Sequence, residues 1–194
     1  MLYKEKKDFL KRFELYKKLT LNSLRKQTRQ GFDIAIKCNP KHTHIVKEEF
    51  PDIITFYQTK TTTKNKYGYY VDFVGWEHIK GLDKYKIQTS LDSDDFVSEN
   101  FIKKIEDTVK GKNHSVHIHF QPTIYNIKTG EKKKMKRRYG EKGSPVYSLY
   151  SADVFIGCDS HLKMGNYAKE SILIGEGYAF MGIHNNNDSS RIDM

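Results

Sequence analysis

The stretch Tyr85-Lys86-Ile87-Gln88-Thr89-Ser90-Leu91 runs without a break into Asp92-Ser93-Asp94-Asp95. Beyond it, Phe101, Ile102, Ile105 and Val109 recur at helical spacing before Gly111. The first seven residues read as a strand and the later set as one face of a helix closed by its glycine. A strand passing through an acidic turn into a helix is the repeating unit of a layered α/β domain. Three carboxylates within four positions repel one another unless something cationic compensates. Asp92 and Asp94 face the same way if the extended geometry persists, since side chains alternate with period two. A hard cation such as Mg²⁺ or Mn²⁺ takes oxygen ligands and is commonly shared with substrate phosphates. Ligands also bind at the carboxyl ends of strands in open α/β sheets. The same turn has a second reading, in which Asp95 or Ser98 caps the helix that follows.

Upstream, Phe9, Leu10, Phe13, Tyr16, Leu21 and Leu24 share one face, which predicts an amphipathic helix over 5–28, ended near Gly31. Phe32 to Cys38 alternates and reads as a strand. His42 to Phe50 reads as a short helix, and Ile53 to Tyr57 as a second strand after Pro51. Lys60 to Tyr70 is polar and Thr-rich, hence a loop, and Val71 to Ile79 is compatible with a helix. Downstream, Ser115 to Phe120 alternates, Thr129-Gly130 marks a turn, and Pro145 to Tyr150 is again extended. This is a hairpin-like excursion whose tip carries Glu131-Lys132-Lys133-Lys134-Met135-Lys136-Arg137-Arg138.

At 194 residues the chain has the length of one ordinary domain, with no internal repeat. Hydrophobic residues make up 37% and aromatics 13%, which suits a packed core despite 30% charged residues. No apolar run is long enough for a transmembrane helix, and the N-terminus lacks a signal-peptide core. Cys38 and Cys158 are too few for a disulfide framework, so a reduced, cytoplasmic setting is expected. The formal net charge of +10 suits an anionic partner: nucleic acid, an acidic membrane or a phosphorylated substrate.

Four segments carry a resemblance to a known family: Arg12 to Thr28, with its Ser-Leu-x-x-Gln-Thr ending; Leu91 to Phe96; Gly143 to Tyr147; and Ile183 to Asn187. Together, loosely over 9–191, they resemble glycosyltransferases of the GT-A fold, and within them the rhamnosyltransferase family. The resemblance implies a GT-A-like (Rossmann-like) mixed sheet flanked by helices, with the hairpin excursion in the C-terminal half. It implies one domain over 1–194, nucleotide-sugar-binding over about 1–112 and acceptor-side over about 113–194. The donor would be a UDP-, GDP- or dTDP-linked sugar, UDP first, carrying rhamnose or a hexose such as glucose, and the acceptor a glycan. Mn²⁺ or Mg²⁺ would bridge the diphosphate as a Lewis acid. Asp94 would be the direct ligand, Asp92 would contact ribose or metal, and His184 would be a third ligand. Lys37 and Asn39 join Asp92, Ser93 and Asp94 in donor binding. Asp159 and Glu176 lie where acceptors enter, and an inverting enzyme needs a general base there. Two features depart from the family: the chain opens on the helix rather than a strand, and Ser90-Leu91 stands where Arg often precedes the acidic cluster.

Other residues have readings of their own. Trp76, Tyr69 and Tyr70 could stack on a sugar or base or simply pack. His117 and His119 share a strand face, where a structural role is favoured over a metal. A rival function is a metal-dependent nuclease using those histidines with Asp92, Asp94 and the His184 region. Another is a basic module binding RNA or an acidic membrane through Lys132–Arg138. The glycosyltransferase reading expects no nucleic-acid partner, and at most a peripheral membrane contact through that run.

Overall fold

Phe9, Phe13 and Tyr16 are all buried, which is what spacings of four and three residues dictate for one helix face. The computed structural model describes residues 5–56, 60–64, 70–74, 86–134, 146–151 and 164–183. Helix α1 (Lys6–Tyr16) continues through a five-residue π-helical turn, Lys17–Leu21, into α2 (Asn22–Arg25). The expected helix over 5–28 is therefore present but interrupted, and it stops three residues early. Strand β1 (Ala35–Lys37), helix α3 (Thr43–Glu49) and strand β2 (Ile54–Phe56) follow. Then come β3 (Lys60–Lys64), β4 (Tyr70–Val74), β5 (Ile87–Ser90) and β6 (Phe96–Val97). Helix α4 (Phe101–Val109) leads to β7 (Val116–Phe120), β8 (Thr123–Asn126) and β9 (Lys132–Lys134). The described chain closes with β10 (Tyr147–Tyr150), β11 (Glu170–Ile174) and β12 (Ala179–Ile183).

These elements form two compact units, residues 1–13 with 31–85 and residues 14–30 with 86–194. In the first, β1 and β2 pair in parallel, as a crossover connection through α3 allows. Phe9, Phe13, Ile36, Cys38, Val46 and Ile53 are buried within it. The Phe9 ring stacks on Phe13 at 5.4 Å and on His42 at 4.5 Å. β3 and β4 form an antiparallel hairpin, which corrects two sequence expectations. Lys60 to Tyr70 is not all loop, because Thr61-Thr62-Thr63 is β-branched and suits a pleated strand. Val71 onward is strand rather than helix, through Val74.

In the second unit one four-stranded sheet has the order β11-β7-β10-β5 and another the order β6-β12-β8-β9. The run β7–β8 lies parallel to β11–β12, so the chain passes from one sheet to the other twice side by side, the second passage being the longer. Gln121-Pro122 makes the passage on one side and Gly175 to Tyr178 on the other. The amphipathic face of α4 packs Phe101, Ile105 and Val109 against Val116, Ile118 and Phe120 of β7. Burying those six side chains at roughly 1.5–3 kcal/mol each makes this the main stabilising contact of the unit. Gly111, at φ +77°, ends α4 as the sequence indicates. The arms of the excursion pair antiparallel as β7 and β10, and within it β8 and β9 form a second antiparallel hairpin around a turn with Gly130 at φ +75°. Its basic residues Lys132, Lys133 and Lys134 form the return strand rather than the tip. The architecture is the mixed α/β arrangement of sheets and helices expected from the sequence.

Candidate functional site

β5 delivers the chain to Leu91, and the next four residues fold into a tight turn in which the Asp95 N–H donates to the Asp92 carbonyl at 3.1 Å. Asp92 is exposed and Ser93 half-buried, whereas Asp94 and Asp95 are only 4% and 2% exposed. Asp95 does not cap a helix. Its Oδ1 accepts the Gly182 N–H at 3.2 Å, tying the turn to β12. Gly182 is required there, because a Cβ would collide with the Asp94 carbonyl oxygen and approach Ile127 Cδ1 at 3.0 Å. A glycine amid the bulky Phe180-Met181 and Ile183 was the sequence signal for this close backbone approach.

The other wall of the turn is the helical segment. On the π-helical turn, Thr20 is buried, and its hydroxyl donates to the Asp95 carbonyl at 2.6 Å, with a longer 3.4 Å contact to that of Asp92. A threonine in a regular helix usually returns its hydroxyl to its own backbone; here it leaves the helix to hold a segment 75 residues away. Ser23 Oγ accepts the Val97 N–H at 3.2 Å. Gln27, 3% exposed, donates through Nε2 to the carbonyls of Ser23 and Ser98 and accepts the Ile102 N–H at 2.9 Å through Oε1. Thr28 adds a backbone bond to Glu99 and a hydroxyl bond to Asn100 Oδ1.

Gln27 thus does for α4 what a capping side chain would do. Asn100 stands in the N-cap position without a side-chain cap bond, and the open Ile102 N–H is satisfied from another element. The expectation that Asp95 or Ser98 caps α4 is corrected: Ser98 contributes its carbonyl, not its hydroxyl, and Asp95 faces β12. The Gln-Thr pair that carried the family resemblance is the clamp that holds the start of α4, while Thr20 holds the acidic turn itself.

The remaining candidates are distributed as follows. Lys37 ends β1 and Asn39 caps the short turn Pro40–His42 through Oδ1, both in the first unit. Glu176 is exposed in the Gly175–Tyr178 connection and pairs with Lys134 at 3.2 Å. Asp159, His184, Trp76 and Tyr69 lie outside the described residues, as do 135–138 of the basic run. Among the described residues no three metal-ligating side chains converge. Asp92 and Asp94 still have the chemistry a hard cation needs: carboxylate oxygens on one short turn whose backbone is fixed from both sides.

His117 and His119 are interior residues, stacked at 5.3 Å, and the Ser171 hydroxyl lies 3.2 and 3.3 Å from their Nδ1 atoms. Burial, and secondarily His119, pulls the His117 pKa down to about 4, so the ring is neutral at physiological pH. Their burial and ring stack are compatible with the structural role that the sequence favours. No helix among the described residues is long and apolar enough to cross a membrane.

The fold is similar to that of S. aureus TarS. The 1–349 fragment in complex with UDP-GlcNAc matches with a TM-score of 0.53 at 14% identity, over 93% of this chain and 59% of that one. The same fragment described without that ligand gives 0.53 over 87% and 57%, and TarS described without a residue range gives 0.52 at 15% identity, over 87% and 34%. The chain therefore spans less than two thirds of the length of these three structures. No curated protein matches it. A family model described as "Putative rhamnosyl transferase" matches residues 1–194, and the chain belongs to that family.

Proposed function

We propose that the chain is a glycosyltransferase that moves a sugar from a nucleotide-diphosphate sugar to a glycan, using the Asp92–Asp95 turn to hold the donor diphosphate. The observation that carries this reading is the construction of the turn: acidic side chains at a strand end, with the backbone pinned by Thr20 on one side and Gly182 on the other. Fixing a charged loop that firmly is useful when a ligand must be met in one geometry. Family membership and fold agree with it. TarS 1–349 was crystallised with UDP-GlcNAc, and this supports a UDP-linked donor here.

In this reading residues 1–194 act as one domain, with donor binding over about 1–112 and acceptor binding over about 113–194. Asp94 and Asp92 would hold Mn²⁺ or Mg²⁺, with His184 as a further ligand. The ion supplies neutralisation of the departing nucleoside diphosphate. Asp95 holds the turn through the Gly182 N–H rather than serving as a ligand. Ser93 offers a hydroxyl to the donor. Glu176 or Asp159 takes the acceptor proton if the enzyme inverts. Rhamnose or a hexose such as glucose is the transferred group.

Titration calorimetry of the full chain with UDP, GDP and dTDP, each with and without Mn²⁺, tests the reading. Metal-dependent binding of at least one is expected, and the absence of metal-dependent binding to all three overturns it.

A further inference from the structure

Beside the acidic turn, but not lined by it, the second unit carries an open cleft of about 560 Å³. Three cations from three elements line it: Lys18 of the π-helical turn, Lys26 after α2, and Lys132 of β9. Its ledge is aromatic. Phe96 and Phe180 stack at 4.7 Å with their planes 6° apart, and Tyr125 meets Phe96 edge-on at 4.9 Å. All three rings are half-buried, and Lys132 Nζ sits 5.1 Å from the Phe180 ring centre.

The charges decide what such a cleft takes. Lys133 and Lys134 are paired with Glu131 and Glu176. Among the described residues, none of the three cleft lysines has a carboxylate partner. Glu99 is the single carboxylate of the lining, which leaves an excess of two positive charges. Ammonium groups and half-exposed aromatic faces together suit a ring that carries an anion. The size narrows it further. Single-stranded nucleic-acid sites cover about 4–16 nucleotides, whereas a cleft of this volume lies in the range of small-molecule sites.

We propose that this cleft binds an acidic saccharide unit of one or two rings. The sugar lies on the Phe96–Phe180–Tyr125 ledge, and its carboxylate or phosphate is held by Lys18, Lys26 and Lys132. Choosing a saccharide as the carrier of the charge rests on the glycosyltransferase reading; the anion-and-ring chemistry comes from the cleft itself.

The test is calorimetry on the full chain with digalacturonate and glucose 6-phosphate. Cellobiose, inorganic phosphate, a twelve-residue oligothymidylate and phosphatidylserine vesicles serve as comparisons, and UDP with Mn²⁺ is titrated in parallel. At least one of the two acidic sugars should bind about tenfold or more tightly than cellobiose and phosphate. Lys18→Ala and Lys132→Ala, both at exposed positions, should each weaken it by about tenfold, and Tyr125→Leu should weaken it as well. UDP–Mn²⁺ affinity should stay unchanged in these variants. The proposal is overturned if neither acidic sugar binds, if the lysine variants bind unchanged, or if phosphate alone binds as well. Tighter, lysine-dependent binding of oligothymidylate or vesicles overturns it in favour of nucleic acid or membrane. If UDP–Mn²⁺ fails to bind while an acidic sugar does, the cleft stands and the donor reading falls.

Discussion

Replacing Gly182 by alanine inserts one methyl group where β12 touches the acidic turn. The new Cβ would collide with the Asp94 carbonyl oxygen and lie 3.0 Å from Ile127 Cδ1, so strand or turn must retreat. Overpacking of this kind costs about 1–3 kcal/mol. Retreat also lengthens the 3.2 Å bond from the Gly182 N–H to Asp95 Oδ1, and a hydrogen bond to a charged group contributes about 1.5–3 kcal/mol. Because one movement relieves the clash and breaks the bond, the two do not add fully, and a loss of about 3 kcal/mol is expected. Urea denaturation measures it, with Gly175→Ala as control, since a Cβ at Gly175 meets nothing within 4 Å. A Gly182→Ala protein within about 0.5 kcal/mol of the parent, or no less stable than Gly175→Ala, would refute the contact on which the turn's geometry depends.

Gln27→Ala should cost about 1–3 kcal/mol in the same assay, because it leaves the Ile102 N–H without its acceptor and removes one of the two donors to the Ser98 carbonyl. Gln27→Glu should not recover this, because a carboxylate would face the Ser23 and Ser98 carbonyl oxygens that accept from Nε2. Thr20→Val, nearly isosteric, should cost about 1–2 kcal/mol and leave helix content unchanged by circular dichroism. His117 has a folded pKa of about 4 against an ordinary 6.5. The folded state therefore prefers the neutral ring, and its contribution is complete above pH 6.5 and lost as pH falls towards 4. By linkage the loss at pH 5 is about 2 kcal/mol, visible as a lower urea midpoint than at pH 7.5. By contrast, Asp107→Asn, which breaks the exposed pair with Lys103, should leave the urea midpoint unchanged, because water screens both charges.

The parts that were legible in the sequence are those where local pattern and burial agree. α4 buries one periodic face and β7 is an apolar-alternating strand buried throughout, so Ile105 or Ile118 could be read directly. The acidic turn was legible as a cluster at a strand end. Its supports were not, because Thr20 and Gly182 act across 75 to 87 residues of chain, as Gln27 does across 71 at the start of α4, and no local spacing encodes such a bond. The π-helical turn at Lys17–Leu21 escaped for a related reason: the apolar period of α1 carries past it to Leu21 and Leu24 without an interrupting Gly or Pro. The β3–β4 hairpin was missed because polar, Thr-rich sequence satisfies both loop and strand, and only pairing with Tyr70–Val74 distinguishes them. The edge position of Lys132–Lys134 likewise turns a like-charge run into strand, where lysines discourage further pairing.

The central claim is that the turn presents Asp94 to a metal-bound nucleoside diphosphate. The most direct measurement is the affinity for UDP, with and without Mn²⁺, of the parent chain and of Asp94→Ala, each first shown to be folded by urea denaturation. The parent should bind more tightly with Mn²⁺, and Asp94→Ala should lose about tenfold or more of that metal-dependent affinity. A folded Asp94→Ala protein that binds UDP and Mn²⁺ as the parent does would contradict the claim.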